Sequence, residues 1–187
     1  GIFLEKRDGV LLAGSQREAD LIDTATRHLN RGIVSIFTDA IVPTVGLVGS
    51  DRGLLHAEGK DVTIREADWV FDIIRRGCIP VIAARAAVSE RADVPVDPVV
   101  VIRALSMAWA GRVEIAMFTT TNLPGIMQGS VPLSWCDLEE AEVAQVASDG
   151  RALKALVNQG HTVLLTNTLR YGQPEELRGT IVSEQRP

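Results

Sequence analysis

The chain has 187 residues, 46% of them hydrophobic and 23% charged, with a formal net charge of −5. These values fit a globular domain and exclude a disordered one, and the length suits a single domain spanning residues 1–187. The acidic balance argues against a nucleic-acid or anionic-membrane surface, and no stretch approaches the roughly 20 apolar residues that a spanning helix needs. The two cysteines, Cys78 and Cys136, lie far apart without a neighbouring histidine, and His28, His56 and His161 are scattered. No metal site is expected from such spacing, and both thiols read as reduced residues of a cytoplasmic protein. The first residue is Gly1, with no methionine before it, so something upstream is expected to be missing.

Taken in order, the chain begins with a short extended piece, and Asp8-Gly9 is a turn signal able to close a hairpin onto Val10-Leu11-Leu12. Ser15 with Glu18 three residues on predicts a capping box and a helix to about Leu29, followed by a second helical stretch over residues 30–40 that Pro43 closes. Residues 45–48 read as a strand, and Gly49-Ser50-Asp51-Arg52-Gly53 follows as a glycine-flanked polar loop. Residues 54–62 suit a hairpin. Thr63 with Glu66 predicts another capping box and a helix ending at Gly77, and residues 78–83 a strand with an early proline. Residues 85–95 read as a polar connector.

Residues 97–127 organise the rest. Asp97 and Pro98 are an N-cap and first-turn proline, and Val101, Ala104, Leu105, Ala108 and Trp109 recur at helical spacing up to Gly111. Residues 113–118 form an almost wholly apolar run, the pattern of a parallel strand covered on both faces. Thr119, Thr120, Thr121, Asn122 and Pro124-Gly125 lie just past its carboxyl end, where open α/β sheets bind ligands. Next come a Gly-Ser-Val-Pro linker, an acidic helix over residues 134–146 whose charges read as a solvated face, a break at Ser148-Asp149-Gly150, and a short helix over residues 151–159. Strands at residues 161–166 and 179–182 complete the chain. Helix, strand and loop in succession predict an α/β protein with a mainly parallel sheet.

Several of these pieces, in this order, resemble the amino acid kinase family, and within it the acetylglutamate kinases. They are Leu29-Asn30-Arg31-Gly32-Ile33-Val34, the run from Pro43 to Leu55 with its Val-Gly-Leu-x-Gly-x-Asp core, Gly77 to Ile82, Asp93 to Asp97, Thr121 to Ile126, and Gly179-Thr180-Ile181. Together they cover about residues 9–182. The resemblance implies a three-layer α/β/α sandwich, truncated at its amino terminus, that transfers the γ-phosphoryl group of ATP, with Mg²⁺, to the carboxylate of a small acyl amino acid. Matched residue by residue, it implies catalytic roles for Asp97 and Lys154, nucleotide contacts at Thr121, Asn122, Gly125 and Arg151, and substrate contacts at Gly49, Asp51 and Asp93. It also implies a homo-oligomer, or an upstream segment that completes the sheet.

The departures are as specific as the matches. The family's Lys-x-Gly-Gly and Gly-Gly-Gly phosphate loops would precede residue 1. Its substrate-binding arginine falls at Leu11, its paired asparagines at Asp93 and Pro95, and its nucleotide-loop aspartate at Asn122. Leu11 cannot make the bidentate bond of a guanidinium, and Pro95 has no side-chain amide. Two readings therefore stand: an enzyme, or a degenerate kinase-fold module that binds an amino acid or nucleotide or serves in assembly.

Overall fold

The computed structural model describes residues 5–7, 10–59, 61–89, 92–109, 113–120, 123–147, 149–171, 173 and 178–186. They gather into two compact units, Gly1–Ala108 and Trp109–Pro187.

In the first unit, β1 (Glu5–Arg7) pairs antiparallel with β2 (Val10–Leu12), Arg7 opposite Val10. The expected turn residues Asp8 and Gly9 lie outside the described residues. Helix α1 (Gln16–Asp39) opens as the capping box predicts: Ser15 Oγ accepts from the Glu18 amide, and the Glu18 carboxylate accepts from the Gly14 amide at 2.7 Å. It is one helix rather than the two expected. Gly32 weakens an isolated helix by about 1 kcal/mol, but α1 packs along two strands, and that packing carries the helix through.

Those strands are β3 (Thr44–Val48) and β6 (Ile79–Ala83), paired in parallel. Asn30 anchors α1 to both. Its buried side-chain amide donates to the carbonyl of Val81 at 2.8 Å and to that of Leu47 at 3.3 Å. Gly46 makes the approach possible, because a Cβ there would overlap Asn30 Oδ1.

Residues 54–64 form the expected hairpin, β4 (Leu55–Glu58) with β5 (Asp61–Ile64). Thr63 is a strand residue opposite His56, so it caps no helix, and α2 (Asp68–Arg75) starts after Ala67 without a side-chain cap. The Thr63 hydroxyl instead donates to the Glu58 carboxylate at 3.0 Å across the hairpin. Gly77, at φ 77°, ends α2 as expected. The expected polar connector is instead an antiparallel hairpin, β7 (Arg85–Ser89) with β8 (Ala92–Pro95), completing a sheet of order β5-β4-β7-β8. Helix α3 (Pro98–Ala108) follows, with Asp97 Oδ1 accepting from the Val99 amide at 3.0 Å.

The second unit holds a sheet of order β12-β14-β13-β9. Its strands are β9 (Ile115–Phe118), β12 (Trp135–Cys136), β13 (Val163–Thr166) and β14 (Thr180–Val182). A small hairpin, β10 (Met127–Gln128) with β11 (Val131–Pro132), stands where a linker was expected. The expected acidic helix gives up its first residues to β12, leaving α4 (Leu138–Ala144). Asp149 caps α5 (Gly150–Val157), accepting from the Ala152 amide at 3.0 Å. β13 is buried along its whole length, whereas β9, the expected doubly covered strand, ends the described sheet and is only half-buried. An apolar run alone does not tell a central strand from an edge strand that has one partner.

The class is α/β, with parallel pairs β3–β6, β4–β7, β9–β13 and β12–β14. Among the described residues no helix is long and apolar enough to cross a membrane.

Candidate functional site

In the first unit the chain leaves β3 through Gly49, which is buried. Its amide donates to Ala83 O and its carbonyl accepts from the Leu55 amide. A side chain there would overlap the carbonyl oxygen of Arg85 and a Leu55 methyl group, so only glycine lets β3 end against β7. Ser50 and Asp51 follow. Asp51 Oδ2 accepts from the Val48 amide at 2.7 Å, closing the turn, and Ser50 Oγ donates to Asp93 Oδ2 at 2.6 Å.

Arg85 begins β7 with its side chain 5% exposed. Its Nε donates to Asp93 Oδ1 at 2.9 Å, and its Nη2 donates to the same carboxylate and to Asp93 O. Across from it, Asp23 on α1 lies 3.6 Å from Arg85 Nε and pairs with Arg27 at 2.9 Å. Burial pushes the Asp93 carboxyl up, but hydrogen bonds from Arg85 and Ser50 and the Arg85 charge outweigh it and hold the group below its ordinary value. The bond to Asp23 raises Arg27. The result is a chain of alternating charges, Arg27, Asp23, Arg85 and Asp93, fixed between a helix and a hairpin.

Two clefts meet at this chain. One, of about 510 Å³, is polar, lined by Gln16, Asp20, Asp23, Ser50, Arg85 and Asp93 among others. The other, of about 370 Å³, is mostly apolar: Val10, Leu11, Leu12, Val94 and Pro95 line it together with Arg85 and Asp93. Asp51 lines a third hollow, of about 520 Å³, with Arg27 and Arg31. The substrate residues expected from sequence, Gly49, Asp51 and Asp93, are thus neighbours here.

The expected nucleotide residues are arranged differently. Thr121 and Asn122 lie outside the described residues. Gly125, at φ 151°, is buried against β14, and a Cβ would stand 2.5 Å from Thr180 Oγ1 and 2.8 Å from the Thr180 amide nitrogen. The Ile126 amide donates to Thr180 Oγ1 at 2.9 Å, so close packing of loop on strand explains this glycine. Helix α5 buries Ala152, Leu153, Leu156 and Val157, and Arg151 and Lys154 share its exposed face one turn apart. Asp97 belongs to the first unit and Lys154 to the second.

No family model matches the sequence, and no curated protein matches it. Solved structures do. A Streptococcus mutans protein superposes with a TM-score of 0.67 at 17% identity, over 98% of this chain and 78% of its own. N-acetylglutamate synthase from Neisseria gonorrhoeae, solved with coenzyme A and L-arginine, gives 0.61 at 15% identity, over 99% of this chain and 50% of its own. Aspartate kinase from Synechocystis gives 0.57 at 15%, over 92% of this chain and 30% of its own. This chain carries the amino acid kinase fold. It spans half the length of the synthase and less than a third of the kinase.

Within the amino acid kinase fold of this chain, the residue that sequence reasoning passed over is Arg85. Its signal was present: it is a lone charge in the run Ile79-Pro-Val-Ile-Ala-Ala-Arg85-Ala-Ala-Val88. A charge isolated among apolar residues is either solvated at a bend or buried with a partner. Arg27, Asp23 and Ser50 carried no separate signal, since only the fold brings α1 beside the hairpin.

Proposed function

We propose that this chain is the body of a kinase-type phosphotransferase, resembling acetylglutamate kinase, that acts on the carboxylate of a small (acyl) amino acid. The observation that carries the reading is the cleft of the first unit, where Asp93 and Ser50 stand with two guanidinium groups, Arg27 and Arg85, next to the turn of Gly49 and Asp51, in a fold whose neighbours include kinases. Guanidinium and carboxylate groups held in fixed pairs are suited to orient a small charged ligand.

When bound, MgATP supplies the phosphoryl group. On this chain the groups suited to its polyphosphate are Arg151 and Lys154, cations on the exposed face of α5. Gly125 does not fit a nucleotide contact, because β14 covers it. Among the described residues no three or more His, Cys, Asp or Glu side chains cluster so as to hold a metal, so in this reading Mg²⁺ arrives on the nucleotide. Asp97 orders the start of α3 by accepting from the Val99 amide. In this reading the protein acts in the cytoplasm on a small molecule and assembles as a homo-oligomer. Leu29 and Ile36, 65% and 70% exposed and two turns apart on α1, suit such an assembly.

A second reading, a non-catalytic module that binds an amino acid or nucleotide, is favoured by Leu11 and Pro95, which line the cleft with hydrocarbon where the resemblance expects an arginine and an amide. A thermal-shift and calorimetric titration with MgATP, repeated with Lys154→Ala and Asp97→Asn, separates the two. Asparagine keeps the helix cap and removes the charge. Saturable stabilisation that both substitutions abolish supports the kinase reading, and no shift at millimolar nucleotide removes it.

A further inference from the structure

Arg85 has a property that its ion pair does not use. Its Nε and Nη2 are bonded to Asp93, but Nη1, buried in a side chain only 5% exposed, meets no acceptor among the described residues. A buried guanidinium nitrogen without an acceptor is unfavourable unless something completes it. Arg85 also lines both the polar and the apolar cleft. Nη1 has almost no exposed surface, so an oxyanion entering between the clefts reaches it only as the side chains over it shift, and then meets a cation already oriented by Asp93.

The linings on either side limit what such an anion can carry. In the polar cleft the described charges are three carboxylates, Asp20, Asp23 and Asp93, and two guanidinium groups, Arg27 and Arg85. A ligand bringing only negative charge would deepen that imbalance, whereas one that also carries an ammonium group offsets it. Asp20, exposed on α1 and held by Gln16 at 2.8 Å, is the carboxylate of that wall not paired to an arginine among the described residues. In the apolar cleft Leu11 and Val94 are 38% and 37% exposed, hydrocarbon surface left open beside Arg85.

We propose that Arg85 anchors the carboxylate of an α-amino acid with an apolar side chain, its ammonium group meeting the Asp20 and Asp23 wall and its side chain lying against Leu11, Val94 and Pro95. In this light Leu11 and Pro95 are the groups that select the ligand. The assignment rests on the first unit's cleft being the small-molecule site, as in the function proposed above, but not on phosphoryl transfer.

The test is a calorimetric titration of the whole chain with leucine, glutamate, N-acetylleucine and inorganic phosphate, with MgATP run separately on the same samples. Leucine should bind saturably, and glutamate, N-acetylleucine and phosphate at least about tenfold more weakly. Arg85→Gln should abolish leucine binding. Because that substitution also strands Asp93, Leu11→Arg serves as the second variant: it changes an exposed residue and should move the preference from leucine toward glutamate. Asp20→Asn should narrow the gap between leucine and N-acetylleucine. The proposal is overturned if phosphate binds as well as leucine, if no amino acid binds, or if Leu11→Arg leaves the preference unchanged. Leucine binding without MgATP binding would remove the kinase reading and leave the Arg85 assignment standing. MgATP binding without leucine binding would do the reverse.

Discussion

The two units use a buried glycine for opposite ends. Gly49 lets β3 run up against Arg85, and the close approach delivers a set of paired charges to the wall of a cleft. Gly125 lets a loop lie on Thr180, and the close approach ends in packing. In the first unit the charged groups are held by one another, with Arg85 buried at the centre of the set. In the second, Arg151 and Lys154 stand on the exposed face of a helix whose other face does the packing. A glycine in a motif thus marks where two backbones meet, and the side chains around the meeting decide whether a site results.

Substitutions can break this contrast. The largest effect should come from Asp93→Ala, which leaves Arg85 buried and uncompensated; a loss of about 3 kcal/mol or more in urea unfolding is expected. Gly49→Ala should follow at about 2 to 3 kcal/mol, because the overlap is with backbone that cannot swing away. Asp149→Ala removes the α5 cap and should lower stability by about 1 kcal/mol. Lys154→Ala, on an exposed face, should change stability by less than about 0.5 kcal/mol, so a lost nucleotide response in that variant reports on binding alone.

Acid sharpens the same comparison. The Asp93 carboxyl is held below its ordinary value of 3.8, so the folded state binds fewer protons there than the unfolded state does. Its contribution is complete above about pH 4 and is lost as pH falls through the lower folded value. The urea midpoint between pH 5 and pH 3 should therefore drop more steeply in the parent than in Asp93→Asn. In the second unit, burial and the nearby Glu140 and Asp137 charges push the Cys136 thiol up to about 12, so it should resist a thiol reagent at pH 8 in the folded protein.

Much of the fold was legible in the sequence. The capping box at Ser15, the Asp97-Pro98 helix start, the residue 54–62 hairpin and the strands at β3, β6, β13 and β14 rest on local signals that tertiary structure did not overrule. What misled was context. Residues 16–40 read as two helical stretches joined near Leu29, but packing of α1 on two strands carries one helix through, Gly32 included. Thr63 and Glu66 had the spacing of a cap, but the pairing with β4 had already claimed Thr63. The stretch from Arg85 to Pro95 read as a connector because Arg85, Glu90, Arg91 and Asp93 made it look solvated, when an ion pair lets Arg85 and Asp93 turn inward. Of the residues singled out from sequence, Asp93 lines the cleft and Gly49 and Asp51 form the adjoining turn, whereas Arg85 is tied to the cleft by a partner eight residues away across a hairpin.

The fit of Asn30 into the space above Gly46 has a consequence for sequence change over time. A larger residue at 46 collides with the Asn30 amide, and an apolar residue at 30 strips a donor from the carbonyls of Leu47 and Val81. Neither position is open to drift alone, so relatives that keep this helix on these strands should vary at 30 and 46 together or not at all.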